Sequence, residues 1–250
     1  MLNNETLAQK AASFKMDSRK EFDKAVAALI ALAWNYAYMG EDFRWDADPE
    51  LYAESLRICR DLSDTLAERA RAIAEQVARD GLDDFDMDEA WERGVDEEDG
   101  ESTLVRFDQA GAHLLDLLEI WIALAFVHGL GETELRVEIS RYLSNPYLSP
   151  LWKGVPKDAL LWGRGYMKDI PRQLALIGQD AIISATRYAE WVDAQAKGAQ
   201  YYIRRRGSGY DCPECDDLCG YPIPIETPFE FLHARCMCYP EYHFEPMPDA

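Results

Sequence analysis

Apolar positions recur along most of this chain with the period of a helix. The run Ala25–Trp34 is apolar on most faces and predicts a central helix, with Ser18 and Glu21 at capping-box spacing as its start and Gly40 as its stop. Residues 1–16 are weakly amphipathic and predict a frayed helical lead. Leu51, Leu56, Ile58, Leu62, Leu66, Ile73 and Val77 mark one face of a long helix, from Pro49 to about Asp80. Asp48 supplies its N-cap, Pro49 its first position and Gly81 its end. A third long helix is predicted from about Thr103 to His128, capped by Ser102 and stopped by Gly129. A shorter one follows from Glu132 to about Leu143, and a fifth from near Pro171 to about Lys197, with Asp169 as cap and Gly198 as stop. After Ala199 the period changes. Tyr201, Ile203 and Arg205 alternate with Tyr202, Arg204 and Arg206, as in a strand.

These elements predict an α+β protein that is predominantly α-helical, a helical N-terminal body followed by a small C-terminal β module. The Pro- and Trp-containing stretch after Asn145 is the expected boundary. It gives an acidic helical domain over residues 1–150 and a helix plus a small Cys/His module over 151–250.

Charge sharpens that division. The chain carries a net charge of -20, of which -17 lies in residues 1–150. Such a surface repels nucleic acid and anionic lipid. Residues 83–101 concentrate 11 Asp and Glu against one Arg and predict a solvated acidic loop. Asp84, Asp86 and Asp88 match the first ligand spacing of a calcium loop. The required Gly and closing Glu are replaced by Glu89 and Val95, so a calcium site is not expected. Neither apolar run, Ala25–Trp34 nor the stretch around Leu114–Val127, is long and uninterrupted enough to suggest a membrane span. The N-terminus lacks a basic segment followed by an apolar one, so export is not expected and the cysteines are expected in a reducing cytoplasm.

Five of the six cysteines lie between Cys212 and Cys238, with one of the four histidines. Cys212-x2-Cys215 and His233-x2-Cys236 have the short loops that let two donors face one tetrahedral ion, and thiolate and imidazole donors select zinc over calcium or magnesium. In an extended segment Cys236 and Cys238 would point to one face about 7 Å apart, from the strand rise. The expected ligand set is therefore Cys212, Cys215, His233 and Cys236, with Cys238 as substitute for Cys236 and Cys219 as a spectator. A reduced metal-free cluster and a disulfide cluster are the competing readings. Cys59, alone in the second helix, reads as a buried thiol. His113 and His128 read as structural. No carboxylate base or further His converges on the motif in sequence, and three thiolates make a poor Lewis acid, so a closed structural Zn2+ site is expected, not a catalytic one.

The order helix, Gly198, Tyr/Arg strand, Asp211-x-Cys-x2-Cys, Gly220, His-x2-Cys-x-Cys and Pro240 resembles the C-terminal module of phage head morphogenesis proteins, the Mu F-like minor capsid proteins. Residues 170–243 carry the resemblance, including the helix Gly178–Arg187. The family's His-Pro-x-Cys-Arg-Cys ending stands here as His233-Ala-Arg-Cys236-Met-Cys238. The resemblance implies a non-enzymatic virion component, assembled in the bacterial host cytoplasm. It would act near the portal, with portal, scaffold or capsid proteins as partners and no membrane or small-molecule substrate. Arg204, Arg205 and Arg206 are candidates for a weak DNA contact, against the blander reading of a solvated edge strand. The alternative function is a zinc-dependent hydrolase or a prophage-derived toxin-like protein.

Overall fold

A computed structural model describes residues 2–83, 85–97, 102–144, 170–207, 212–229 and 236–248. It is predominantly helical, with one small antiparallel sheet near the C-terminus. The helices are α1 (Asn4–Trp34), α2 (Pro49–Gly81), α3 (Met87–Trp91), α4 (Thr103–Val127), α5 (Glu132–Ser144), α6 (Ile170–Ala196) and α7 (Pro213–Leu218). The strands are β1 (Tyr201–Arg205), β2 (Pro222–Pro224) and β3 (Tyr239–His243).

The predicted stops and caps are specific where their hydrogen bonds are visible. Asp48 accepts from the Glu50 and Leu51 amides at 2.9 and 3.0 Å and opens α2. Gly129 and Gly198 take positive φ after α4 and α6. In each case the glycine N–H and the next N–H turn back onto the last helical carbonyls, a paired closure that a residue with a Cβ makes only under strain.

Three expectations about elements change. The first helix ends at Trp34 and not at Gly40, which lies within a short 3-10 segment, Ala37–Asp42. No helix begins at Ser18. α1 starts at Asn4, capped by Asn3, and runs through without a break. Its buried positions Leu7, Ala11, Phe14, Ser18, Phe22, Ala25 and Leu29 form one unbroken stripe, in which Ser18 is a small polar member. The acidic segment is also not simply a loop. Asp86 accepts from the Asp88 and Glu89 amides and starts α3, which runs into a π-helical turn, Glu92–Glu97. Met87, Ala90 and Val95 are buried along it, and Gly94 lies so close to α6 that a Cβ there would stand 2.6 Å from the Tyr188 Cβ. Asp86 and Asp88 serve as cap and as ion-pair partner of Arg71.

The boundary expected after Asn145 lies outside the described residues. One compact unit combines residues 1–16, 67–103 and 176–250, and the other combines 17–66 and 104–175. The long helices explain this. At about 1.5 Å per residue, 31 or 33 residues extend further than one small core. α1, α2 and α6 therefore each contribute to both units.

The second unit is a helical core around Phe22, Leu29, Phe107, Leu114, Leu118 and Trp121. Trp45 donates its indole N–H to the Leu115 carbonyl at 2.9 Å, and the Glu119 carboxylate accepts from the Trp45 amide. α4 is long and apolar enough by length and composition to cross a membrane, with a mean hydropathy of 1.7 in its best window. Half of that window is buried within the protein. Cys59 on α2 packs here against Gly111 on α4, its thiol 3.5 Å from the Gly111 carbonyl, as expected for a buried thiol.

In the first unit α6 is the organising element. Gly178 lets the Phe14 ring lie against the helix backbone; a Cβ would stand 2.0 Å from that ring. Gln179 donates to the Ala11 carbonyl at 3.2 Å. Arg187 pairs with Glu190 at 2.6 Å and with the Asn4 side chain, and Glu190 accepts from the Leu2 amide at 2.8 Å. The C-terminal end of the same helix carries the sheet.

Candidate metal centre

The sheet is built outward from β1, which is central, in the order β2-β1-β3 with both pairings antiparallel. The expectation of a solvated edge strand is therefore corrected. Tyr202 pairs with Ile223 on one side and Tyr242 on the other, and its ring meets Phe229 and Tyr242 edge-on. Trp191 and Gln195 of α6 both donate to the Ile225 carbonyl, at 2.8 and 3.2 Å, which ties the sheet to the helix. Trp191, Ala194, Tyr202, Ile225, Phe229 and Tyr242 make a compact core, and the thiols lie within it.

Short local elements deliver the cysteines. Cys212 stands at the N-cap of α7, with Pro213 at its first position. Cys215 lies within α7, and Cys219 ends it. Gly220, at φ 91°, turns the chain, and its amide bonds the Arg204 carbonyl on β1 at 3.0 Å. Cys236 and Cys238 arrive on the segment immediately before β3.

Cys215, Cys236 and Cys238 are buried, and their three sulfurs lie within 4.8 Å of one another. The sulfurs of Cys215 and Cys236 are 3.8 Å apart. Two vertices of a tetrahedron drawn around zinc with Zn–S bonds of about 2.3 Å are separated by about 3.8 Å, so this pair already has the spacing of adjacent ligands. The cluster could hold a metal ion. The 7 Å separation expected for Cys236 and Cys238 is overturned. That estimate assumed extended strand geometry, whereas β3 begins only at Tyr239, and the preceding residues turn both sulfurs inward. Cys212 hydrogen-bonds Cys215, and Cys219 hydrogen-bonds Cys238, so the expected spectator also touches the cluster. His233 lies outside the described residues.

The thiols do not share one protonation preference. Burial pushes Cys215 well above the ordinary thiol range, reinforced by hydrogen bonds with Cys238, Cys212 and Cys236. Cys219 is pushed up to about 11 by burial and by Cys238, while Arg204 and Arg206 pull the other way. At Cys238 burial also acts upward. Hydrogen bonds from Cys215, Cys236, the Gly207 amide and Cys219 outweigh it, and this thiol is held below its usual value. Cys238 is ringed by hydrogen-bond donors.

Sequence reasoning missed two supports of the site. Gly207 donates its amide to Cys238, and its Cα faces Met237 so closely that a Cβ would stand 1.6 Å from the Met237 carbonyl oxygen. Only glycine permits that approach. A Gly-Ser-Gly run such as Gly207-Ser-Gly209 reads as a turn, not as a contact to a residue 30 positions away. The second support is cationic. Arg204 is buried with its guanidinium 4.2 Å from the Phe229 ring centroid, and Arg206 pairs with Asp216 and reaches the Cys212 carbonyl. Arg205 faces β3 and pairs with Glu241. All three arginines are engaged within the module.

The remaining candidates are separate from the cluster. His243 stacks on Tyr201 at 4.6 Å and lies 3.0 Å from Glu245. An open cavity of about 610 Å³ in the same unit is lined by Arg71, Glu75, Asp86, Asp88 and Asp193 among others. Its Asp88 and Asp193 are already paired with Arg71 and Lys197. No protein-family profile, curated protein or solved structure matches this chain.

Proposed function

We propose that this chain is a structural, non-enzymatic minor head protein of the Mu F-like kind, acting in the assembly of a tailed-phage or prophage capsid near the portal. In this reading its C-terminal module is closed by a structural zinc ion. The observation that carries the reading is the single packed unit made by α6, β1 and the thiol cluster, the same three elements on which the family resemblance rests. Gly178, Gln179 and Arg187, within the resembling helix, hold the first half of α1. Trp191 and Gln195, farther along it, hold the sheet. A rigid helix bearing a cross-linked module at one end suits docking. Buried sulfur donors suit zinc as a staple, because they leave the ion electron-rich and a weak Lewis acid. A zinc-dependent hydrolase would want an open ligand position beside a carboxylate, and no observation favours it.

Portal, scaffold and capsid subunits are the proposed partners, and the virion, assembled in the host cytoplasm, the proposed location. The arginines at 204–206 are spent on internal contacts, so DNA contact is not part of the proposal. The test is co-expression of the tagged chain with the portal, scaffold and major capsid proteins encoded beside it. Retention of one of them through size-exclusion chromatography, and the chain in purified heads, is expected. Genomic neighbours unrelated to virion assembly, or no association with any head protein, would overturn the assignment.

A further inference from the structure

We infer that the module holds its ion through sulfur alone, with Cys212, Cys215, Cys236 and Cys238 as the four ligands and with Cys219 a fifth, non-ligating thiol set against Cys238. The inference deepens the structural-metal reading above and rests on it, but not on the viral assignment.

Three sulfurs are already mutually within 4.8 Å, and one pair has the spacing of adjacent tetrahedral vertices. A fourth donor must come from a residue that reaches this group. Cys212 does so through Cys215, from which it is separated by two residues at the start of α7, the short loop from which two sulfurs grip one ion. Cys219 reaches only the far side, through Cys238, and lies one helical turn beyond Cys215. Both are half-buried, so neither is excluded by access.

Charge supports four thiolates over three and an imidazole. A divalent ion with four thiolates leaves two negative charges in a buried place, a costly arrangement unless compensated. Arg206 acts electrostatically on Cys215 and Cys238, and Arg204, itself buried, acts on Cys219 beside Cys238. The Gly207 amide adds a fixed dipole aimed at Cys238. With Arg206 shared between Asp216 and the thiols, these cations and the amide donor offset part of that negative charge. Second partners of this kind orient and stabilise metal ligands generally.

The full chain, purified under reducing conditions and stripped of metal, is loaded with Co(II) as the probe. Four thiolates place the d–d absorption at lower energy than three thiolates with a nitrogen, and give a stronger sulfur-to-metal charge-transfer band. One Co(II) per chain with the all-sulfur spectrum is expected for the wild type, and the same for His233→Ala and for Cys219→Ser. Cys212→Ser should lose or weaken the site. Cys212→His, which keeps a donor, should shift the bands to the three-sulfur pattern and keeps the assignment falsifiable if the serine variant unfolds. A spectrum altered by His233→Ala, or by Cys219→Ser and not by the Cys212 variants, would overturn this ligand set while leaving a metal module in place. No stoichiometric binding by the wild type would overturn both this inference and the staple.

Discussion

Cys59 illustrates how a single residue's surroundings set its chemistry. Its thiol is buried on α2 against α4, and burial, with a smaller contribution from Asp108, pushes it up to about 12 from an ordinary value of 9.0. The folded state therefore holds this proton more tightly than the unfolded chain does. Its contribution to stability is whole below about pH 9 and is lost as pH rises towards 12, at a slope of at most about 1.4 kcal/mol per pH unit. Urea denaturation of wild type and Cys59→Ala at pH 8 and pH 10.5 isolates this from the other groups that titrate there. The wild type should lose more stability between the two pH values than the variant, and equal losses would contradict the assignment. This environment was legible in the sequence, because a cysteine on the apolar face of an amphipathic helix has few other places to go. The Gly207 contact was not. Nothing in the run Gly207-Ser-Gly209 says that its backbone meets the Met237 carbonyl, since that approach exists only once the module has closed.

At the scale of an element, α6 shows what a periodicity reading captures and what it omits. Its apolar face, its length and its glycine stop were all readable. Its buried ion pair was not, because Arg187 and Glu190 look like an ordinary solvated pair three residues apart. In the folded protein both side chains are 3% exposed. Between them they hold Asn4 and the Leu2 amide, and so fix the first turn of α1. Removing one partner leaves a charge buried without compensation. Arg187→Ala should therefore cost about 3–5 kcal/mol, measured by chemical denaturation. The double variant Arg187→Met with Glu190→Gln, which removes both charges and keeps an acceptor for the Leu2 amide, should recover much of that loss. A cost below about 1 kcal/mol for Arg187→Ala would mean that the pair is solvated and unimportant. The opposite error occurred at α1 and α3. The Ser18 capping box looked like a start because its local chemistry is right, but the buried stripe passes through it. The acidic segment looked like a loop because charge obscured the apolar spacing of Met87, Ala90 and Val95.

At the scale of the whole molecule, the proposed staple would hold the smallest part of the fold. Three strands of five, three and five residues and a six-residue helix offer little apolar core of their own. Modules of that size generally need a covalent or metal staple. The long helices need none, since each buries a continuous stripe. Removal of the proposed ion should consequently act in one region. With a strong chelator, or in Cys212→Ser, hydrogen exchange should accelerate in β1, β3 and the segment around Ile225, while amides in the middle of α2 and α4 stay protected and most helical ellipticity survives. Trp191 reports the event directly. Its indole donates to Ile225 and is 8% exposed, so opening of the module should shift its emission to the red, a change absent in Trp191→Phe. Gly207→Ala tests the same dependence without touching a sulfur. A Cβ driven into the Met237 carbonyl should displace the Cys236–Cys238 segment at a cost of about 1–3 kcal/mol, and reproduce the chelator's exchange pattern with metal still in the buffer. Exchange that instead accelerates evenly through the long helices would mean that the module is not separately stapled. The ion would then stabilise the entire fold, and a role as a local clip on a self-sufficient helical body would have to be given up.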